Sequence, residues 1–181
     1  MKIAIIGTAG RDKTKPLNSK LWAWMLADAF ARVPLGAHLV SGGAAWADHL
    51  AVELFNMGHA GELTLHLPAP FDQKFVGPAN SSASAANFYH TSFSRVLGHH
   101  TLSDIERALT NGAVSTVEPA RPGYGGLFAR NLKVAKSDIL LAYTFGPGDE
   151  PEDGGTRDTW NKHLVDVGAG GSRTHITLPT F

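Results

Sequence analysis

Residues 2–6, Lys-Ile-Ala-Ile-Ile, form a short β-branched run without polar alternation, and the run stops at Gly7. Consecutive apolar positions mark a strand buried on both faces, as strands are inside a parallel sheet. A parallel neighbour requires a crossover, and the chain supplies one. Leu21, Trp22, Met25, Leu26, Ala29, Phe30 and Val33 fall on one stripe of a predicted helix over Ser19–Val33. Asn18 or Ser19 would cap it and Pro34 would end it.

The unit then repeats. His38–Val40 reads as a second strand, stopping at Ser41-Gly42-Gly43, and Ala47–Met57 reads as a helix closing at Gly58. Leu63, Leu65 and Leu67 alternate with polar residues in a third strand ending at Pro68. Strand, helix, strand, helix, strand predicts a parallel sheet with right-handed crossovers. Between Pro70 and Gly126 no strand is evident. Ser82–Leu97 reads as a helix, as does Ser103–Leu109 with Ser103 as cap and Glu106 at the capping-box position. We take 70–126 as a helical insertion in a single domain spanning 1–181. Residues 121–126 read as a loop. The pattern resumes with Phe128–Lys136 as helix, Asp138–Phe145 as strand, 146–155 as loop, Thr156–Val165 as helix and His175–Leu178 as strand.

Composition narrows the class. Apolar residues are 43% of 181, enough for a core, and Lys plus Arg balance Asp plus Glu at 16 each. No global charge therefore draws the chain to nucleic acid or to an anionic membrane. There is no cysteine, which excludes disulfides, thiolate metal sites and a cysteine nucleophile. The first apolar run is too short for a signal peptide, and no stretch nears the ~20 apolar residues of a spanning helix. The expectation is a cytoplasmic protein.

In an open parallel sheet, ligands bind beyond the carboxyl ends of the strands. Three loops sit there. The first contains Gly7, Thr8 and Arg11. It approaches the pattern G-x-x-x-x-G-K-[ST], but Asp12 replaces the second glycine and Pro16 interrupts the following helix, so a P-loop NTPase is rejected. Its backbone N–H groups and Arg11 still suit a phosphate or ribose, or it is a plain turn. The second loop is Ser41, Gly42, Gly43 and Ala44. Its glycines admit close approach, and a helix N-terminus follows. Asp48 stands in that helix's first turn, either to accept from a ribose hydroxyl or to complement the dipole. The third is Gly154, Gly155 and Thr156, again between strand and helix. Arg130 and Asn131 precede the strand over 139–145. Arg130 either clamps an anion bidentately or is an exposed helix charge, and spacing alone favours the second.

The nine histidines show no H-E-x-x-H, so no metal site is predicted. His90 reads as half-buried packing. Trp22 and Trp24 read as core or interface. No G-x-S-x-G elbow supports a serine triad.

The series Ser41-Gly42-Gly43-Ala44, Ala47-Asp48, Ala51, then Pro68-Ala69, Arg130-Asn131 and Gly155-Thr156 resembles the SLOG superfamily. That group holds the Lonely Guy phosphoribohydrolases, the DNA-processing protein A family and the YpsA/YspA-type proteins, and the last is the nearest likeness. The resemblance covers residues 2–70 and 126–164. It implies a Rossmann-like sheet with helices on both faces, a nucleotide-derived ligand and a homo-oligomer. Two positions depart. Trp46 stands where a glycine is common. Thr159 stands where Lonely Guy enzymes carry the glutamate of P-G-G-x-G-T-x-x-E, with Asp158 just before it.

The expected function is therefore binding of a nucleotide or derivative, with action at the N-glycosidic bond of a nucleoside monophosphate as its enzymatic form. Asp48 and Asp158 are the candidate carboxylates, and no cofactor is called for. A non-catalytic sensor of a nucleotide signal is the second expectation. Single-stranded DNA binding through Arg121, Arg130, Lys133 and Lys136 is a third, which the zero net charge does not recommend.

Overall fold

The computed structural model describes residues 1–11, 14–15, 17–117, 126–152, 154–167 and 172–181. Asp12 and Pro16 (the residues that speak against a P-loop), the predicted loop residues 121–125 and the start of the third glycine loop at Asp153 lie outside the described residues. Six strands form one parallel sheet: β1 (Lys2–Gly7), β2 (His38–Ser41), β3 (Glu62–Leu67), β6 (Val114–Val117), β7 (Ile139–Thr144) and β8 (Ser172–Thr177). A separate two-stranded ribbon joins β4 (Phe71–Asp72) and β5 (Lys74–Phe75). The sheet order is β6-β3-β2-β1-β7-β8, every pair parallel.

β1 is the interior strand its sequence predicts. Ile3 and Ile5 face α1 (Ser19–Arg32) and α2 (His49–Asn56), within a core that also takes α3 (Ser82–Leu97) and α4 (Thr101–Thr110). Ala4 and Ile6 face the other way, with Val134 of α6 (Asn131–Val134) and Trp160 of α7 (Gly154–Val167). Helices thus cover both faces. β3 differs: Leu63, Leu65 and Leu67 are buried on one side, while Thr64 and His66 turn to the other and are only partly covered. Its alternating sequence reports that one-sided burial. Each large side chain removed from water in these layers stabilises by roughly 1.5–3 kcal/mol.

Asn18 is the cap of α1, its Oδ1 accepting from Leu21 N–H at 2.9 Å. Most of the predicted stripe is buried, but Phe30 is half exposed and lies against the His59 ring at 4.0 Å. α3 spans the residues predicted for it, capped by Ser81 and closed at Gly98 in the left-handed region (φ 77°). Of the apolar residues that mark α3 in the sequence, Phe93 is buried and Phe88 is 64% exposed.

Four readings are corrected. The middle segment is not free of strands, because β6 pairs with β3 at the sheet edge. Val-Ser-Thr-Val is exposed throughout, so its pairing rests on the backbone and on a polar contact of Thr116 with His66, and leaves no apolar pattern to read. α4 starts at Thr101, not Ser103, since Thr101 N–H donates to Ser94 Oγ of α3, and that tertiary contact fixes the start. The predicted helix over 128–136 is two short ones, α5 (Gly126–Ala129) and α6, meeting at Arg130. Finally, Gly154 and Gly155 open α7 rather than lying in a loop before it.

Candidate functional site

β1 lies between β2 and β7. Successive crossovers run outward from it on one face through α1 and α2, and return on the other through α6 and α7. That reversal creates a crevice at the carboxyl ends of β1 and β7, where such sheets bind ligands. A cleft of about 560 Å³ occupies the place. Its walls take Gly7, Thr8 and Arg11 from the first loop, Gly42, Ala44 and Asp48 from the second, and Gly154, Gly155 and Thr156 from the third. Arg130 and Asn131 complete them. Loops that are far apart in sequence therefore meet in one cavity.

Gly7 allows this convergence. A Cβ there would sit 2.1 Å from the Tyr143 carbonyl oxygen and 2.7 Å from Ala47 Cβ. The Gly7 carbonyl accepts from Thr156 Oγ1 at 2.9 Å, which pins the tip of α7 to the end of β1. The first N–H groups of α7 have no acceptor within the helix and sit at the positive end of its dipole. Asn131 steadies the same turn by donating to the Gly155 carbonyl at 3.3 Å and to Asp158 Oδ2 at 2.9 Å.

Ser41 and Gly43 do not line the cleft; they shape the loop that does. Ser41 Oγ donates to the Asp48 carbonyl at 2.8 Å and accepts from Gly43 N–H at 3.0 Å. Gly43 has φ 65° and packs so closely that a Cβ would lie 2.6 Å from Leu67. His90 braces the loop from behind. It is fully buried, with Nε2–H on the Gly43 carbonyl at 3.1 Å and Nδ1 on Thr101 Oγ1 at 2.9 Å. Burial first, then the neighbouring His49, lowers its pKa to about 3, so it stays neutral. Its role is firmer than packing.

Arg130 is buried, against the exposed charge its spacing suggests. Its Nη1–H donates to the Gly42 carbonyl. Burial lowers its pKa and Asp48 opposes that shift, yet a guanidinium keeps its proton in a protein. Burial likewise raises the Asp48 pKa, countered by Arg130 and by the N–H groups of Ala44, Gly42 and Gly7. The Asp48 carboxyl group thus lines the cleft with its net pKa raised by burial, and Arg130 and the backbone amides act to hold the charged form.

Asp158 is not part of the cleft wall. Its Oδ2 accepts from Asn131 and from Lys162 Nζ, the latter at 2.6 Å. Thr159 does line the cleft, its hydroxyl donating to the Gly155 carbonyl at 3.0 Å. The sequence reading missed Lys15, Phe128, Phe145 and Glu152, which also line the cavity. Lys15 Nζ stands 5.6 Å from the Phe145 ring centre, and Arg11 stands 5.7 Å from that of Tyr89. Lys15, Phe145 and Glu152 lie on loops after β1 and β7, so the strand-end rule itself was the available signal.

Trp46 adopts φ 65° in the turn that leads from the second loop into α2. This is a left-handed conformation that glycine reaches freely and other residues reach at a cost of roughly 1–2 kcal/mol. The indole is buried, with its ring centre 4.4 Å from that of Phe93.

The fold and cleft define a Rossmann-like parallel α/β protein with its cavity at the point where strand order reverses. No helix among the described residues is long and apolar enough to cross a membrane. The chain is 35% identical over 175 residues to an uncharacterized protein of Acanthamoeba polyphaga mimivirus, covering 90% of each, and it belongs to that protein's family. No family model matches the chain. No solved structure matches it.

Proposed function

We propose that the cleft binds a phosphorylated nucleotide derivative. The observation that carries this reading is the convergence, in one cavity, of the first turn of α7, the Gly42 loop and the buried Arg130. The α7 N–H groups and the positive dipole end suit a phosphate, and Arg130, Arg11 and Lys15 supply charge around it. Phe128 and Phe145 offer apolar surface for a base. The order of motifs that resembles the SLOG superfamily supports the same ligand class. Where the ligand is turned over, the N-glycosidic bond is the site, and Asp48 is the carboxylate placed to stabilise an oxocarbenium-like state.

A second reading is a sensor that holds the nucleotide unchanged. Thr159 stands at the glutamate position of the Lonely Guy pattern, and Asp158 beside it is engaged by Asn131 and Lys162. Calorimetry with nucleoside monophosphates and ADP-ribose, followed by chromatography for free base, separates the two. Binding with base release supports the enzyme; binding without release supports the sensor. Absence of binding to every such ligand overturns both. Thr156→Ala binding as tightly as wild type would remove the phosphate site from either.

A further inference from the structure

Behind the second loop, α2 and α4 bring together side chains that the cleft does not use. His49 and Glu53 lie one helical turn apart on the same face of α2. Asp104 comes from α4, and one ligand atom from each of the three lies within 4.8 Å of the others. His99 joins from the turn before α4, its Nε2 2.9 Å from Asp104 Oδ2. We propose that His49, Glu53, His99 and Asp104 form a site for a divalent transition metal of the zinc class, tying α2 to α4.

His49, Glu53 and Asp104 are already close enough for such an ion, and His99, held on Asp104, turns in as the fourth donor. Metal–ligand bonds of about 2.0–2.1 Å in a tetrahedron place neighbouring ligand atoms about 3.3 Å apart. His49 Nε2 and Asp104 Oδ2 are 3.3 Å apart. Two imidazoles and two carboxylates match zinc in hardness. Arg107, which stands 4.0 Å from Glu53 Oε2, competes for that carboxylate, and the metal would draw it away. The surroundings orient the ligands. Arg107 Nη2 donates to Asp104 Oδ1 at 3.0 Å, fixing the carboxylate through the oxygen the metal would not use. Asn56 Nδ2 donates to the Asp104 carbonyl at 2.9 Å and holds the two helices in register.

His49 points the same way. The ring is buried among Trp22, Phe93 and His90, and its Nδ1 has no hydrogen-bond partner. Nε2, facing Asp104, is therefore its working nitrogen. In the metal-free protein, Nε2–H donates to Asp104 Oδ2; the metal takes that proton's place, and the proton leaves to solvent. His99 is half exposed and gives the ion its way in. Because the four donors are all protein groups, the site is of the closed, structural kind.

The test uses the full chain, stripped with chelator and free of nucleotide, so it is independent of the cleft reading. Zn²⁺ calorimetry should give one equivalent per chain at micromolar affinity or tighter. Co²⁺ should give the intense visible absorption of a tetrahedral site. His99→Ala, at the solvent side, should fold as wild type does by circular dichroism and lose at least about tenfold in affinity. Glu53→Gln should weaken binding and alter the Co²⁺ spectrum. Absence of stoichiometric binding overturns the site. So does binding that both variants leave unchanged, which would place the ion on other histidines.

Discussion

Asp48 and Arg130 both crowd the α-carbon of Gly42. A Cβ added there would fall 2.8 Å from Asp48 Oδ2 and 2.9 Å from Arg130 Cζ. The missing side chain thus leaves the space that a buried carboxyl group and a buried guanidinium occupy from either side. Gly42→Ala should force the two apart, at about 1–3 kcal/mol in urea unfolding. Nucleotide affinity should fall at least tenfold in calorimetry, and unchanged affinity and stability would show that the pair yields freely.

Arg130→Met keeps the bulk of the side chain and removes the cation. Asp48 would then be buried without its main electrostatic partner, and the Gly42 carbonyl would lose its donor. Losses of this kind run to roughly 3–5 kcal/mol. A large fall in melting temperature is expected, together with a further rise in the Asp48 pKa, readable by carbon NMR of the carboxyl. A stable variant with an unshifted Asp48 would contradict the coupling.

The two acidic candidates should separate cleanly. Asp158→Ala removes, from behind the cleft wall, an acceptor of Asn131 and Lys162, while Asn131 keeps the Gly155 carbonyl, so ligand affinity should fall by no more than about threefold and stability by ~1 kcal/mol. Asp48→Asn should abolish any base release and change affinity about tenfold or more. The opposite pattern would reverse the assignment.

Trp46→Gly sets two effects against each other. Glycine relieves roughly 1–2 kcal/mol of left-handed strain. Losing a buried indole against Phe93 costs about 3–5 kcal/mol. Packing wins by about 2 kcal/mol, so denaturant unfolding should show a less stable protein. A gain in stability would mean that the turn is more strained than packing repays.

His90 gives the chain an acid limit. The unfolded imidazole titrates near 6.5, while the buried one, facing His49, Arg130 and Asp104, titrates at about 3. Between those values the unfolded state binds a proton that the native state does not. Stability therefore falls as pH drops through this window, by about 1.4 kcal/mol per pH unit. Unfolding measured with chelator present should show this slope, and His90→Gln should flatten it. An equally steep slope in the variant would assign it elsewhere.

The parallel sheet was legible because burial leaves a direct trace: the unbroken run 2–6 for a two-sided strand, the alternation 63–67 for a one-sided one. β6 left none, since its four residues are exposed and what enrols them is backbone pairing plus one polar contact, His66 Nδ1 with Thr116 Oγ1 at 2.8 Å. At the site, glycine-rich strand ends were readable as places of close approach. What each side chain does there was not. Asp48 and Asp158 look alike as residue types, and only the fold aims one at the cleft and ties the other to Lys162. Arg130 looked solvated because nothing local shows that Gly42, 88 positions away, supplies its acceptor. The metal cluster was hidden likewise, as Asp104 stands 55 positions from His49.

The bond between Thr156 and Gly7 spans 149 positions, and β1 meets β7 only after Ile3 has found Ile139. A chain leaving the ribosome can thus pack β1, β2 and β3 with their helices long before the cleft exists. Contacts of such long range close late, since loop entropy must be overcome first. The cavity therefore exists only once residues 126–159 have joined the sheet built by residues 1–67. Any ligand that fits the cavity would, by mass action, favour the state in which β7 and α7 are docked on β1.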